Sequence, residues 1–167
     1  YSEAVNYVIS NGIAQGKGNS VFGVHETLTR GDAAVMIVNA LGLNVEDAPE
    51  SLFTDLNSRV KDAVNTLYAS GVINGKSRPT FAPNEKITRL EMAKILANAY
   101  KLDGTGVKNE FKDVNTNWTT FTNALVKRGI TKGKSKTEFG ALQNVTRGEF
   151  AIFVYRLKVT KVEVDTE

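Results

Sequence analysis

A mainly α-helical fold made of three copies of one unit is predicted by three observations. The segments "GIAQGKGNSVF" (12–22), "GVINGKSRPTF" (71–81) and "GITKGKSKTEF" (129–139) align without a gap, each with Gly, Gly-Lys and a closing Phe in the same places. Seven residues after each Phe comes Thr-Arg-x-acid: "TRGD" (29–32), "TRLE" (88–91) and "TRGE" (146–149). Apolar residues recur at helical spacing both before the first Gly and after the Thr-Arg pair. Internal repetition of this kind marks an architecture in which each unit completes its neighbour's core.

The first predicted helix of each unit ends at Gly12, Gly71 or Gly129. Its apolar face is Tyr1, Ala4, Val5, Val8 and Ile9 in unit one, and Val60, Ala63, Val64, Leu67 and Tyr68 in unit two. In unit three it is Trp118, Phe121, Leu125 and Val126, with Thr122 as a polar intruder. The glycines stand where a helix C-cap places a left-handed residue. A loop of about 16 residues follows, long enough to suggest a functional role. The second helix presents Ala33, Met36, Ile37 and Ala40, then Met92, Ile95, Leu96 and Ala99, then Phe150, Phe153, Val154 and Leu157. Units two and three open on "FTDL" (53–56) and "FKDV" (111–114); unit one has no such entry, and Tyr1 aligns with Val60 and Trp118. The units therefore span 1–43, 53–102 and 111–158, with a tail over 159–167 that alternates apolar and polar residues. A two-helix unit of about 58 residues is marginal alone. Three packed together with pseudo-three-fold symmetry is one solution, and an open solenoid is the other.

Composition narrows function. The 167 residues are 41% hydrophobic, carry no cysteine and have a net charge of +3. That is enough to bury a core and excludes a disulfide scaffold. The charge suits an anionic partner but is too sparse for nucleic acid, and no apolar run is long enough to span a membrane. The chain begins inside a predicted helix with no signal peptide, as a piece of a longer protein would. His25 is the lone histidine and aligns with Asn84 and Leu142, so it reads as a loop residue and no metal site is expected. A glycosidase needs two carboxylates of divergent roles in one cleft. The recurring acids here are assigned to helix caps, no nucleophile motif is present, and no catalytic residue or cofactor is expected.

The Thr-Arg-x-acid pattern divides into two jobs. Thr29, Thr88 and Thr146 with Asp32, Glu91 and Glu149 form capping boxes, at about 1 kcal/mol per cap. Arg30, Arg89 and Arg147 are not explained that way, because a cation at the first helical position opposes the helix dipole. Two readings stay open. Each Arg forms an anion site together with the N–H groups of the helix start, or it pairs with an acid of a neighbouring repeat, such as Asp55 or Asp113. The loop lysines Lys17, Lys76 and Lys134 are either solvated charge or added attraction for an acidic polymer.

These residues together resemble a tandem of three S-layer homology domains. "FKDV…W…GITKG…F…VTRGE" matches that pattern in unit three, "FTDL…GVING…FAPNEKITRLE" in unit two and "GIAQG…F…LTRGD" in unit one. The resemblance implies a pseudo-trimer of helical repeats with a central helical bundle and grooves between repeats. It implies a non-catalytic, extracellular, monomeric anchor in the cell wall of a bacterium, with Gram-positive species the expected source. The implied partner is a secondary cell-wall polysaccharide, bound through a pyruvate ketal on a terminal N-acetylmannosamine. By position, ketal binding falls on Arg30, Arg89 and Arg147. Groove roles fall on Asp55, Asp113 and Trp118, and on Gly16, Gly75 and Gly133, where the backbone would approach a sugar. From its place at the head of the apolar stripe, Trp118 reads as a core residue ahead of a sugar platform. The pattern's Ala is Gly31, Leu90 and Gly148 here, unit two has Val60 for Trp, and unit one lacks Phe-x-Asp, so unequal sites are expected.

Overall fold

A computed structural model describes residues 1–18, 21–74 and 79–160. Gly75, Lys76 and the tail beyond Thr160 lie outside the described residues. Among the described residues there are six α-helices: α1 (Ser2–Ser10), α2 (Arg30–Leu41), α3 (Ser58–Ala69), α4 (Arg89–Ala99), α5 (Thr119–Arg128) and α6 (Arg147–Val159). A 3₁₀ turn, Thr116–Trp118, leads into α5. Among the described residues no β-strand forms beyond isolated bridges.

The helix ends follow from local chemistry. Thr29, Thr88 and Thr146 accept from the N–H groups of Asp32, Glu91 and Glu149. At Thr88 and Thr146 the glutamate answers back to the cap N–H, completing the box. Gly12, Gly71 and Gly129 are left-handed, with φ of 67°, 77° and 80°. The N–H of the following residue then returns to a carbonyl five positions upstream, Ile13 to Val8, Val72 to Leu67 and Ile130 to Leu125, which satisfies carbonyls the helix leaves open.

The repeats close on one another. α2 packs on α3, α4 on α5 and α6 on α1, so each second helix meets the first helix of the next unit and the last returns to the first. At the centre, the residues just before the three threonines hydrogen-bond in a ring: Leu28 N–H to Val145 (2.9 Å), Val145 N–H to Ile87 (3.0 Å) and Ile87 N–H to Leu28 (3.0 Å). All three side chains are fully buried. Edge groups that one unit would leave unpaired are thus satisfied by its neighbours. An open row of repeats would leave this ring unclosed.

Close approach explains two departures in the motif. A Cβ on Gly31 would stand 2.9 Å from Val60 and 3.1 Å from the Pro83 carbonyl; one on Gly148 would stand 2.7 Å from Tyr1. Glycine lets the start of a second helix seat against the aligned position of the next first helix.

Candidate functional site

The three motif arginines begin alike. Each donates its backbone N–H to a carbonyl of the next unit's loop, Arg30 to Glu85, Arg89 to Gln143 and Arg147 to Glu26, all at 2.8 Å. The next N–H groups, of Gly31, Leu90 and Gly148, bond Pro83, Ala141 and Val24. The third goes to the capping threonine. The helix starts are therefore consumed by protein carbonyls, which corrects the expectation that they help bind an anion. Each guanidinium also reaches the next unit. Nε donates to the carbonyl of Phe81 (2.9 Å), Phe139 (3.0 Å) or Phe22 (2.9 Å), and the group lies over the same residue's ring, 4.8, 5.0 and 4.5 Å from its centroid. Charge-assisted bonding and cation–π contact make each Arg a staple between units.

Beyond the staple the three junctions differ. Arg30 is 5% exposed and pairs with Glu91 of unit two. Arg89 is 4% exposed and pairs with Glu149 of unit three at 2.8 Å, with Thr131 Oγ1 at 3.4 Å. Each glutamate divides its oxygens, Oε1 taking the cap N–H and Oε2 the arginine. Burial pushes the Arg89 guanidinium below its ordinary value, against the raising effect of Glu149 and then Asp113, and it stays charged. The partners are thus the capping glutamates rather than Asp55 or Asp113. At the third junction the acid is Asp32, one methylene shorter. It bonds Arg59 of unit two at 2.8 Å and makes no reciprocal cap bond. Arg147 is only half-buried, gives Nη2 to the Gln15 carbonyl at 2.7 Å, and has no carboxylate partner among the described residues.

Two grooves of the same construction follow. One, of about 340 Å³, is lined by Ile13–Gln15 of unit one, Asp32, Met36, Arg59 and Arg147. The other, of about 290 Å³, is lined by Val72–Asn74 of unit two, Arg30, Glu91, Lys94, Ile95 and Trp118. Among the described residues each is lined by one acid and two cations. In the first the acid neutralises Arg59; in the second it neutralises Arg30. At the Arg89 junction Glu149 lies 2.8 Å from Arg89 and 3.4 Å from Lys134, so both local cations share it.

The other residues singled out in the sequence fall into place unevenly. Asp55 accepts the N–H groups of Phe81 (3.0 Å) and Ala82 (2.8 Å), and Asp113 those of Phe139, Gly140 and Ala141 (2.8–2.9 Å). Both clamp the left-handed turn after the loop Phe that receives the arginine, so their contact with a groove is indirect. Burial raises the Asp113 carboxyl, but those N–H groups outweigh it and hold it below its ordinary value. Gly133 (φ 88°) is closely approached by Phe111, which would stand 2.5 Å from an added Cβ. Gly16 has room for one, 3.4 Å from the Val21 carbonyl. Trp118 is half-buried and lines the 290 Å³ groove, with Lys94 Nζ 5.2 Å from its ring. His25 is exposed and meets Tyr1 edge-on. Among the described residues no cluster of potential metal ligands occurs, and no helix is long and apolar enough to cross a membrane. The sequence reading missed Arg59 and Lys94. For Lys94 a signal existed, since it aligns with Val35 and Ile152 and puts a charge where the other units are aliphatic.

Comparison with known proteins agrees with the repeat structure. A family model described as S-layer homology domain matches residues 1–34, 52–93 and 110–151. A surface-layer 125 kDa protein of Lysinibacillus sphaericus is 33% identical over 97% of this chain, and an S-layer protein of Bacillus thuringiensis subsp. finitimus is 32% identical over 96%. An amylopullulanase of Thermoanaerobacterium thermosulfurigenes is 28% identical over 93%. The chain spans only 15%, 21% and 9% of the lengths of these relatives.

Proposed function

The chain belongs to the S-layer homology domain family, and we propose that it holds a larger protein to the wall by binding an acidic, pyruvylated polysaccharide in the grooves between its repeats. Membership makes it a cell-wall anchoring module at the bacterial surface. The carboxylate of a pyruvate ketal requires a cation not already neutralised by the protein. The observation that carries this reading is the Arg147 groove. There Asp32 is drawn to Arg59, and Arg147 stands half-exposed without a carboxylate partner among the described residues. Arg30 and Arg89 are buried in ion pairs between repeats, which favours a structural role for these two. The module acts as a monomer and performs no chemistry on the glycan.

The test is a pull-down on purified cell wall before and after chemical removal of pyruvate, with wild type and Arg147→Ala. Loss of binding on pyruvate removal, and weaker binding by the variant on intact wall, are the expected results. Undiminished binding to depyruvylated wall would defeat the ketal mechanism and leave anchoring intact.

A further inference from the structure

We propose that a lysine-lined cleft within unit three, outside the grooves between repeats, binds a linear phosphodiester polymer of the wall. The inference goes beyond the ketal reading and needs neither Arg147 nor its groove.

The cleft, of about 510 Å³, is walled by the segment 107–111, by α5 and by the loop after Gly129. Lys108 stands on the first wall, and Lys132, Lys134 and Lys136 stand on the loop. Among the described residues Glu110 is the one acid that lines it. Lys134 reaches Glu149, which Arg89 already engages. Lys108, Lys132 and Lys136 are exposed and make no ion pair among the described residues.

The walls are fixed without help from these ammonium groups. The N–H groups of Lys134 and Ser135 both donate to the Glu138 carbonyl, at 2.9 and 3.0 Å, and Ser135 Oγ accepts the Glu138 N–H at 3.1 Å. The Lys112 N–H ties the loop at the Thr137 carbonyl (2.8 Å), and Asn123 Nδ2 ties α5 to the Val107 carbonyl (3.2 Å). Like charges held on so closed a loop repel one another, and a bound anion relieves that repulsion. The concentration of charge is particular to unit three. Lys108 aligns with Glu50, which pairs with Lys61 at 3.2 Å, and Lys132 aligns with Gln15 and Asn74. The repeat pattern therefore calls for neither cation.

Three features select the ligand class. Among the described residues no arginine lines the cleft, so there is no planar fork to favour a carboxylate. Ammonium groups act as point charges and suit phosphate oxygens approaching from any direction. The volume exceeds that of either groove, which gives room for the interior of a chain. Phe111, the aromatic residue of the lining, is buried, so no ring face is offered for a nucleobase to stack on.

The experiment titrates the three-unit chain by calorimetry with poly(glycerol phosphate) over a range of salt, with polygalacturonate, dextran and a single-stranded oligonucleotide as comparators. The phosphodiester polymer is expected to bind more tightly than polygalacturonate or the oligonucleotide, dextran is expected not to bind, and added salt is expected to weaken the complex. The double variant Lys108→Gln, Lys132→Gln is expected to bind about tenfold more weakly at low salt, with a shallower salt dependence. Lys86→Gln with Lys158→Gln removes the same charge from exposed positions outside the cleft and is expected to weaken binding less than about twofold. Equal losses in the two double variants would reduce the effect to net charge and overturn the site. Tighter binding of polygalacturonate or of the oligonucleotide would overturn the ligand class. Failure of wild type to bind poly(glycerol phosphate) would overturn the proposal outright.

Discussion

The junctions headed by Arg89 and Arg147 share the same backbone bonds to the next unit, but the acid that faces the arginine is one methylene shorter at the second. At Arg89 a glutamate completes the helix cap with one oxygen and neutralises the arginine with the other. At Arg147 the corresponding acid is Asp32, which makes neither bond and turns to Arg59. The staple to the next unit's phenylalanine survives in both. The comparison separates two functions the motif carries at once. Joining repeats needs only the Nε bond and the ring. Leaving a cation for a ligand needs the acid to be too short or otherwise engaged.

The comparison can be broken first by removing the arginines. Arg30→Ala and Arg89→Ala each remove a buried guanidinium that joins two units through a capping glutamate and a loop carbonyl, and are expected to lower unfolding free energy by about 3 kcal/mol. Arg147→Ala loses a half-exposed staple, about 1 kcal/mol. Urea denaturation measures all three, and equal losses would erase the distinction. Next, Gly133→Ala combines a left-handed backbone with a collision against Phe111 and should cost about 2 kcal/mol. Gly16→Ala should stay within about 0.5 kcal/mol. Similar urea midpoints for the two would show that Phe111 yields. Asp113→Asn replaces a charged acceptor of three N–H groups and should cost about 1 kcal/mol at neutral pH. Because the folded Asp113 is held below its ordinary value, its contribution is present above the unfolded value of about 3.9 and is lost as pH falls through the folded one. The gap between wild type and variant should therefore narrow below about pH 4, as denaturation at pH 7 and pH 3 would reveal. The smallest effect on stability, within about 0.5 kcal/mol, is expected for Asp32→Glu. This change sharpens the comparison most, since the longer acid should reach Arg147 and weaken binding of the pyruvylated sugar. Unchanged affinity by calorimetry would mean that acid length does not govern that groove.

Much of the fold could be read from the chain because its signals are local. Thr88 and Glu91 are three residues apart, and a capping box needs no other part of the molecule. Gly129 ends α5 for a reason contained in one residue's φ. The site was less legible. Asp55 and Asp113 were assigned to grooves by position, yet their oxygens serve backbone N–H groups 26 to 28 residues away. The anion-binding helix starts failed for a similar reason. An isolated helix exposes those N–H groups, and only the next unit's loop covers them. Trp118 heads its helix as expected, but as the last residue of a 3₁₀ turn and half-buried, so it meets the groove as well as the core.

By itself the sequence determined three units, two helices in each, their caps and the inequality between Asp32 and its two glutamate counterparts. Periodicity, capping and left-handed glycines act over a few residues and are written in the order of side chains. Only the tertiary structure decided which acid each arginine meets. Arg30 and Glu91 are 61 residues apart and Arg89 and Glu149 are 60 apart, and nothing local selects those pairs. Closure of the repeats brings the end of one unit's loop over the start of another's helix. Once the backbones are locked by the Leu28, Ile87 and Val145 ring, the length of a single acidic side chain sets whether a cation is neutralised or left facing the groove.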